Sequence, residues 1–333
     1  MRRFALVVVL LVAVGAGAYA FHTHRVAKGV TTSTSSTTTS LVVTTTTVAA
    51  PPSVCSATGV AVNPGPSNCP SWTARDQWSG APASIYTMSF APFRTQPSVM
   101  AYASWIRTST TDLALYLGYE GPGVTSLPRG PEMVPPLSTP RLLATFNSGF
   151  YEQDQAAGFF VNHTLYFPMI RGLATVVRYT NGTVDVVAWS GGPRPGSNVV
   201  MARQNLALLV NDSSATPLAT NNAAWGLTLH GVPAVWRTAL GVDANGNLIY
   251  VAVANVTAAE LAQTMVELHV VRAMELDINP EWPIFVTYAA PGAKGPSLDV
   301  PNPNQIPNRF LYSSTKDFFA VFVSRRVGEA QPW

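Results

Sequence analysis

From about Pro82 onward the chain consists of short runs rich in β-branched and aromatic residues, each closed by turn residues. This rhythm restricts the fold more than any other feature, because strands of four to eight residues must pair with distant partners before they can bury a face. Residues 101–106, 113–118, 142–146, 158–162, 173–179, 184–189, 206–210, 236–242 and 248–254 all fit it. Tyr179-Thr-Asn-Gly-Thr183 and Asp243-Ala-Asn-Gly246 supply the residues that a tight hairpin turn requires. The expectation is a mostly β domain.

One segment breaks the rhythm. Thr257-Ala-Ala-Glu260 has the spacing of a capping box, and Leu261, Met265 and Leu268 follow at i, i+4 and i+7, which predicts a helix over about 258–270. The residues after it alternate, with Met274, Leu276 and Ile278 on one side and Glu275, Asp277 and Asn279 on the other, which predicts a strand over 272–279 ended by Pro280. Strand, helix and strand over 248–279 therefore read as a crossover unit whose polar row lies at the carboxyl end of the last strand, where open sheets tend to bind ligands.

Of the 333 residues 47 % are hydrophobic and only 11 % charged, where soluble domains usually carry about 25 % charge. Part of that poverty is local. Arg2-Arg3 followed by the uncharged run Phe4 to Phe21 is a signal peptide or an uncleaved signal anchor over 1–22, so that the rest of the chain is exported. Its length is enough to span a bilayer and favours a single-pass anchor in the cell membrane with the C-terminal domain extracytoplasmic; Ala18-Tyr-Ala20 offers a cleavage site and the alternative of secretion. Residues 23–53 are rich in Thr, Ser and Pro and read as a stalk. Residues 54–81 hold the two cysteines, Cys55 and Cys69, best explained as one disulfide-stapled loop in an oxidising compartment. The folded domain is expected at 82–333. The net charge of +3 rests largely on Arg2 and Arg3, and the remaining bases form no run, so nucleic acid is not an expected partner.

No GxSxG, HExxH, P-loop or GxGxxG motif occurs, and the five histidines are scattered. The acids in regular elements mostly have simple roles: Asp243 in a turn, Asp185 on the solvent side of a strand, Glu260 at a helix cap. Glu275, Asp277 and Asn279 differ, because three polar residues on one strand face are costly to bury without partners. The face is either solvent-exposed or a site. As a site, two neighbouring carboxylates would push their pKa values apart and divide acid from base work, and with the Asn279 amide oxygen they would also suit a hard cation such as Ca²⁺. Phe146-Asn147-Ser-Gly149-Phe150 either is an ordinary loop or places an amide and backbone N–H groups at a sheet mouth. Arg237 interrupts an apolar strand and is either in a buried ion pair or aimed at an anion; Arg203-Gln-Asn205 reads in the same way. Trp282, Trp225 and Trp236 are core residues or stacking faces for sugars.

Phe146-Asn-Ser-Gly-Phe150, Arg237-Thr-Ala-Leu-Gly241, a capped helix and Glu275-Leu-Asp277, in that order, resemble the phosphodiester glycosidase family over about Pro82 to Val327. Where the family has Asp-Gly-Gly-Gly-Ser this chain reads Asp277-Ile-Asn-Pro-Glu-Trp282, which places it in a divergent bacterial branch. The resemblance implies an α+β fold of mostly β mixed sheets and a carbohydrate or sugar-phosphate substrate, cleaved at the bond between sugar and phosphodiester. It assigns acid/base or electrostatic work to Asp277 and Glu275, a phosphate grip to Arg237, and orientation of the sugar to Asn147 with Gly149. Asn279, Trp282 and Arg203 complete the expected substrate contacts. A non-catalytic glycan-binding or cell-envelope-binding module, and a Ca²⁺-stabilised domain, are the rival expectations.

Overall fold

The computed structural model describes residues 48–54, 69–76 and 82–325, apart from positions 122, 124–125, 153, 155–156, 229–230 and 291. The leader at 1–22, nearly all of the stalk and Cys55 lie outside the described residues, so the expected anchor and the Cys55–Cys69 staple fall there too. Among the described residues no helix is long and apolar enough to cross a membrane.

Among the described residues the strands form three sheets in which every neighbouring pair is antiparallel. The largest runs, in spatial order, Thr73–Ala74, Ile85–Phe90, Ala101–Ile106, Leu248–Val256, Val235–Asp243, Val270–Glu275, Leu208–Asn211 and Ser214–Ala215. A second sheet orders Thr164–Phe167, Phe159–Val161, Val199–Gln204, Ala174–Tyr179 and Val184–Ala188. The third orders Lys294–Leu298, Phe285–Ala290, Leu142–Asn147, Phe318–Val323 and Thr111–Tyr116.

The helix Ala258–Glu267 starts where the capping box places it: the Glu260 amide donates to the Thr257 hydroxyl, and the Glu260 carboxylate accepts from the Thr257 amide at 2.8 Å. Leu261, Met265 and Leu268 are fully buried and cover one face of the largest sheet, where Val251, Val253, Ala239 and Ala273 join the same cluster. The other face contributes Tyr250, Leu240, Met274 and Leu276 to a core shared with Phe146, Phe285 and Phe319 of the third sheet. Leu248–Val256 and Val270–Glu275 both pair antiparallel with Val235–Asp243, which lies between them. They are therefore parallel to each other, and the helix crosses over an intervening strand.

The polar row departs from its sequence expectation. The strand ends at Glu275, not at 279, and both sides of the expected alternation are buried through Ile278, with Asn279 alone exposed. A sheet covered on one face by a helix and on the other by a second sheet has no solvent side to give to polar residues. Each carboxylate must then find its own cation.

Packing also begins upstream of residue 82. The Trp72 indole donates to the Pro52 carbonyl at 2.7 Å, Arg107 donates to the Ala49 carbonyl, and Asp76 accepts from the amides of Ser84 and Ile85. Val54 is buried in the cluster beneath the helix.

Candidate functional site

Arg237 sits on the face of its strand that Ala239 also serves, beneath the helix, and its side chain is wholly buried. It pairs with Glu275 of the neighbouring strand at 2.6 Å, and both side chains are 0 % exposed. Its remaining donors go to the carbonyls of Val256, Trp225 and Pro233. Burial raises the Glu275 carboxyl to about 8, against the pull of the Arg237 guanidinium, and Glu275 Oε2 has no hydrogen-bond partner. Of the two readings of Arg237, the buried ion pair is the one observed. Neither Arg237 nor Glu275 lines the cleft described below, and each is engaged by the other, which corrects the expected phosphate grip and the expected second carboxylate.

Asn147 is likewise internal. Its amide donates to Thr238 Oγ1 and to the Ser148 carbonyl, and its oxygen accepts from the Tyr250 hydroxyl and the Ile284 amide. All four capacities of the amide are used, so Asn147 joins three elements instead of orienting a sugar. Gly149 stands against Asn205, whose Oδ1 a Cβ would meet at 3.1 Å. Asn205 in turn accepts from the Phe150 amide and donates to the carbonyls of Glu275 and Leu276. Arg203 pairs with Asp317 at 2.8 Å and donates to the carbonyls of Gln204 and Phe150, so it too is removed from the expected substrate contacts. Trp225 is fully buried, and Trp236 packs against the core.

Asp277 is different. It lies just past the strand end, at the floor of a cleft of about 510 Å³ lined by Phe150, Tyr151, Asp154, Gly226, Leu227, Ile278, Asn279, Trp282 and Lys316. Its Oδ1 accepts from the Asn279 amide at 2.8 Å, its Oδ2 accepts from Lys316 Nζ, and its own carbonyl accepts from Thr238 Oγ1 at 2.7 Å. Lys316 Nζ lies 4.5 Å from the Tyr151 ring centre and 5.2 Å from that of Trp282, within cation–π range of both. Burial lowers the Lys316 ammonium to about 7, with Asp317 and Asp154 pulling the other way. Gly226 has a φ of +92°, and a Cβ there would meet Ile278 Cδ1 at 2.8 Å and Phe150 Cζ at 2.9 Å, so only glycine allows this wall to close on the floor.

The structure thus brings Asp277, Asn279 and Trp282 to one cleft and leaves Asn147, Gly149, Arg203, Arg237 and Glu275 in the packing behind it. The expected Glu275–Asp277–Asn279 cation site is not assembled, because Glu275 is locked to Arg237 and Asp277 to Lys316. Among the described residues no group of three or more His, Cys, Asp or Glu is placed to hold a metal ion. Lys316, Asp154 and Tyr151 are cleft residues that sequence reasoning missed. The available signal was Lys316-Asp317 immediately before the wholly apolar run Phe318–Val323, a charge pair at a strand mouth in a chain with three lysines. Lys316 is set by the loop 313–316, against which residues 118–121 pack. The amides of Tyr119, Glu120 and Gly121 donate to the carbonyls of Ser314 and Thr315, and a Cβ on Gly118 would lie 2.2 Å from the Thr315 oxygen.

Fold and cleft together define a mostly β α+β domain with an acid–lysine pair facing aromatic rings. Residues 141–277 match the family model described as phosphodiester glycosidase. No curated protein matches the sequence. Among solved structures, the catalytic domain of zebrafish N-acetylglucosamine-1-phosphodiester alpha-N-acetylglucosaminidase, auto-inhibited by its pro-peptide, aligns at 15 % identity and a TM-score of 0.47, over 81 % of this chain and 96 % of that one. A hypothetical protein from Synechocystis aligns at 14 % identity and a TM-score of 0.44, over 72 % of this chain and 62 % of that one. The family match ends at Asp277, so Trp282 and Lys316 lie beyond it.

Proposed function

We propose that this domain is an exported hydrolase that cleaves the glycosidic bond of sugar phosphodiesters or related envelope glycans. The observation that carries the reading is the Asp277–Lys316 pair, 2 % and 4 % exposed, at the floor of a cleft flanked by Tyr151 and Trp282. A carboxylate in that position serves as the acid/base group. The rings offer apolar faces on which a sugar stacks, and Asp154 supplies a second carboxylate within the same cleft. Export through the 1–22 leader, tethering by it, and a Cys55–Cys69 staple belong to the same reading.

A non-catalytic glycan-binding module is the second reading. It is favoured by one observation: Glu275 and Arg237 are sealed in the packing, so the cleft holds fewer charged groups than the sequence promised. The test is turnover of a panel of chromogenic sugar-1-phosphodiesters by the purified protein and by Asp277→Asn. The expected outcome is a loss of about 10²-fold or more in kcat/KM with the fold intact. Equal turnover by both proteins overturns Asp277 as the acting group, and glycan binding without turnover favours the module.

A further inference from the structure

In the structure Lys316 occupies Asp277. One oxygen of the carboxylate accepts from the Asn279 amide and the other from Nζ, so each oxygen already holds a donor and the charge of Asp277 is neutralised while the pair is closed. The other buried cations near the site are fixed: Arg237 by Glu275 and three carbonyls, Arg203 by Asp317 and two carbonyls. Among the described residues lining the cleft, Lys316 is the sole basic side chain. Its remaining N–H groups look toward two ring faces, which attract a cation weakly and exchange it readily for an anion.

We infer that Lys316 is the residue that reads the phosphodiester charge, exchanging Asp277 for the entering phosphate and so releasing Asp277 to act. This rests on the reading of the cleft as a sugar-phosphodiester site. With Nζ turned to a phosphate oxygen, Asp277 Oδ2 becomes a free acceptor and takes a proton from the water that attacks the anomeric carbon. The bond from that carbon to the phosphate oxygen breaks, and its electron pair stays on the oxygen. The phosphate passes from one negative charge to two, and Lys316 holds the second. The water oxygen remains on the sugar as its new hydroxyl, and the proton on Asp277 passes to solvent. Because charge on the phosphate grows along the reaction, Lys316 binds the transition state more tightly than the substrate. A neutral glycoside enters the cleft without an anion and so has nothing to draw Nζ away from Asp277 before the bond breaks.

The experiment compares Lys316→Gln with the wild-type protein on matched substrates of one sugar, a nitrophenyl phosphodiester and a neutral nitrophenyl glycoside. The loss in kcat/KM on the phosphodiester should exceed the loss on the glycoside by about 10²-fold. Equal losses overturn the inference. Because the single variant leaves Asp277 without a counter-ion, Lys316→Gln/Asp277→Asn is titrated in parallel with glucose 1-phosphate and with glucose. Wild-type protein should prefer the phosphate by at least about tenfold, and the double variant should lose that preference. A preference that survives without Lys316, or none in the wild type, overturns the inference. A preference that depends on Lys316 in a protein that turns over neither substrate leaves the charge reader standing and removes the hydrolase reading.

Discussion

Asp277 and Glu275 are two positions apart and have opposite fates. Glu275 ends a strand on the helix-covered face and has only Arg237 for a partner, so burial raises its carboxyl to about 8. Asp277 falls past the strand end, where the chain turns at Asn279 and the cleft opens. Lys316 gives the site a pH dependence whose sign follows from its environment. Its ammonium titrates near 7, below the usual 10.5, because burial disfavours the charge. Below that value the side chain is charged, the form that the inferred phosphate contact requires. The kcat/KM for sugar phosphodiesters should therefore fall as pH rises through about 7, which a pH–rate profile checks, and Lys316→Gln should flatten that limb. The linked stability runs the other way: between about 7 and 10.5 the unfolded chain binds the extra proton, so this residue's contribution to stability increases with pH across that window.

At the scale of elements, the central question is what holds the ends of the strands together. Arg237 joins its own strand to Glu275, to the end of Leu248–Val256 and to the loops carrying Trp225 and Pro233. Removing one member of a buried pair strands the other, at a cost of about 3–5 kcal/mol. Arg237→Met should lower stability by that amount in denaturant unfolding, and adding Glu275→Leu should recover only part of it, because three carbonyls lose their donor in either case. A failure of Arg237→Met to destabilise would show that the pair does not carry this junction. The helix and most strand positions were legible in the sequence because capping chemistry and alternation are local. The strand end at Glu275 was not. Alternation continues through Ile278, and only the register with the neighbouring strand, whose last regular pair is Ala239↔Glu275 before Thr238 bonds irregularly to Leu276 and Asp277, decides where the ladder finishes.

At the scale of the molecule, described residues upstream of 82 pack with the domain. Arg107 is held by the Ala49, Pro82 and Ala83 carbonyls, Asp76 accepts from two amides of the Ile85–Phe90 strand region, and Thr73–Ala74 extends the largest sheet. A chain beginning at residue 48 should unfold at the same denaturant concentration as one that keeps the stalk. A chain beginning at residue 82 should unfold earlier by about 2 kcal/mol or more, since Arg107 and the sheet edge lose their partners. Equal midpoints for the two shortened chains would return the boundary to residue 82.

By itself the sequence determined the class of fold, the capped helix, the crossover it makes and the family order of the motifs, since each depends on residue spacing within one segment. It also singled out Asp277. Only the tertiary structure decided which of the polar motif residues reach the cleft. The partners of Arg237, Asn147 and Arg203 come from 38, 103 and 114 positions away and consume them. The partner of Asp277, Lys316, comes from beyond the family match and lies on the side of the cleft where two aromatic rings leave it able to change hands. Local pattern records what a side chain is, whereas burial and the counter-ion that reaches it determine whether it is free to react.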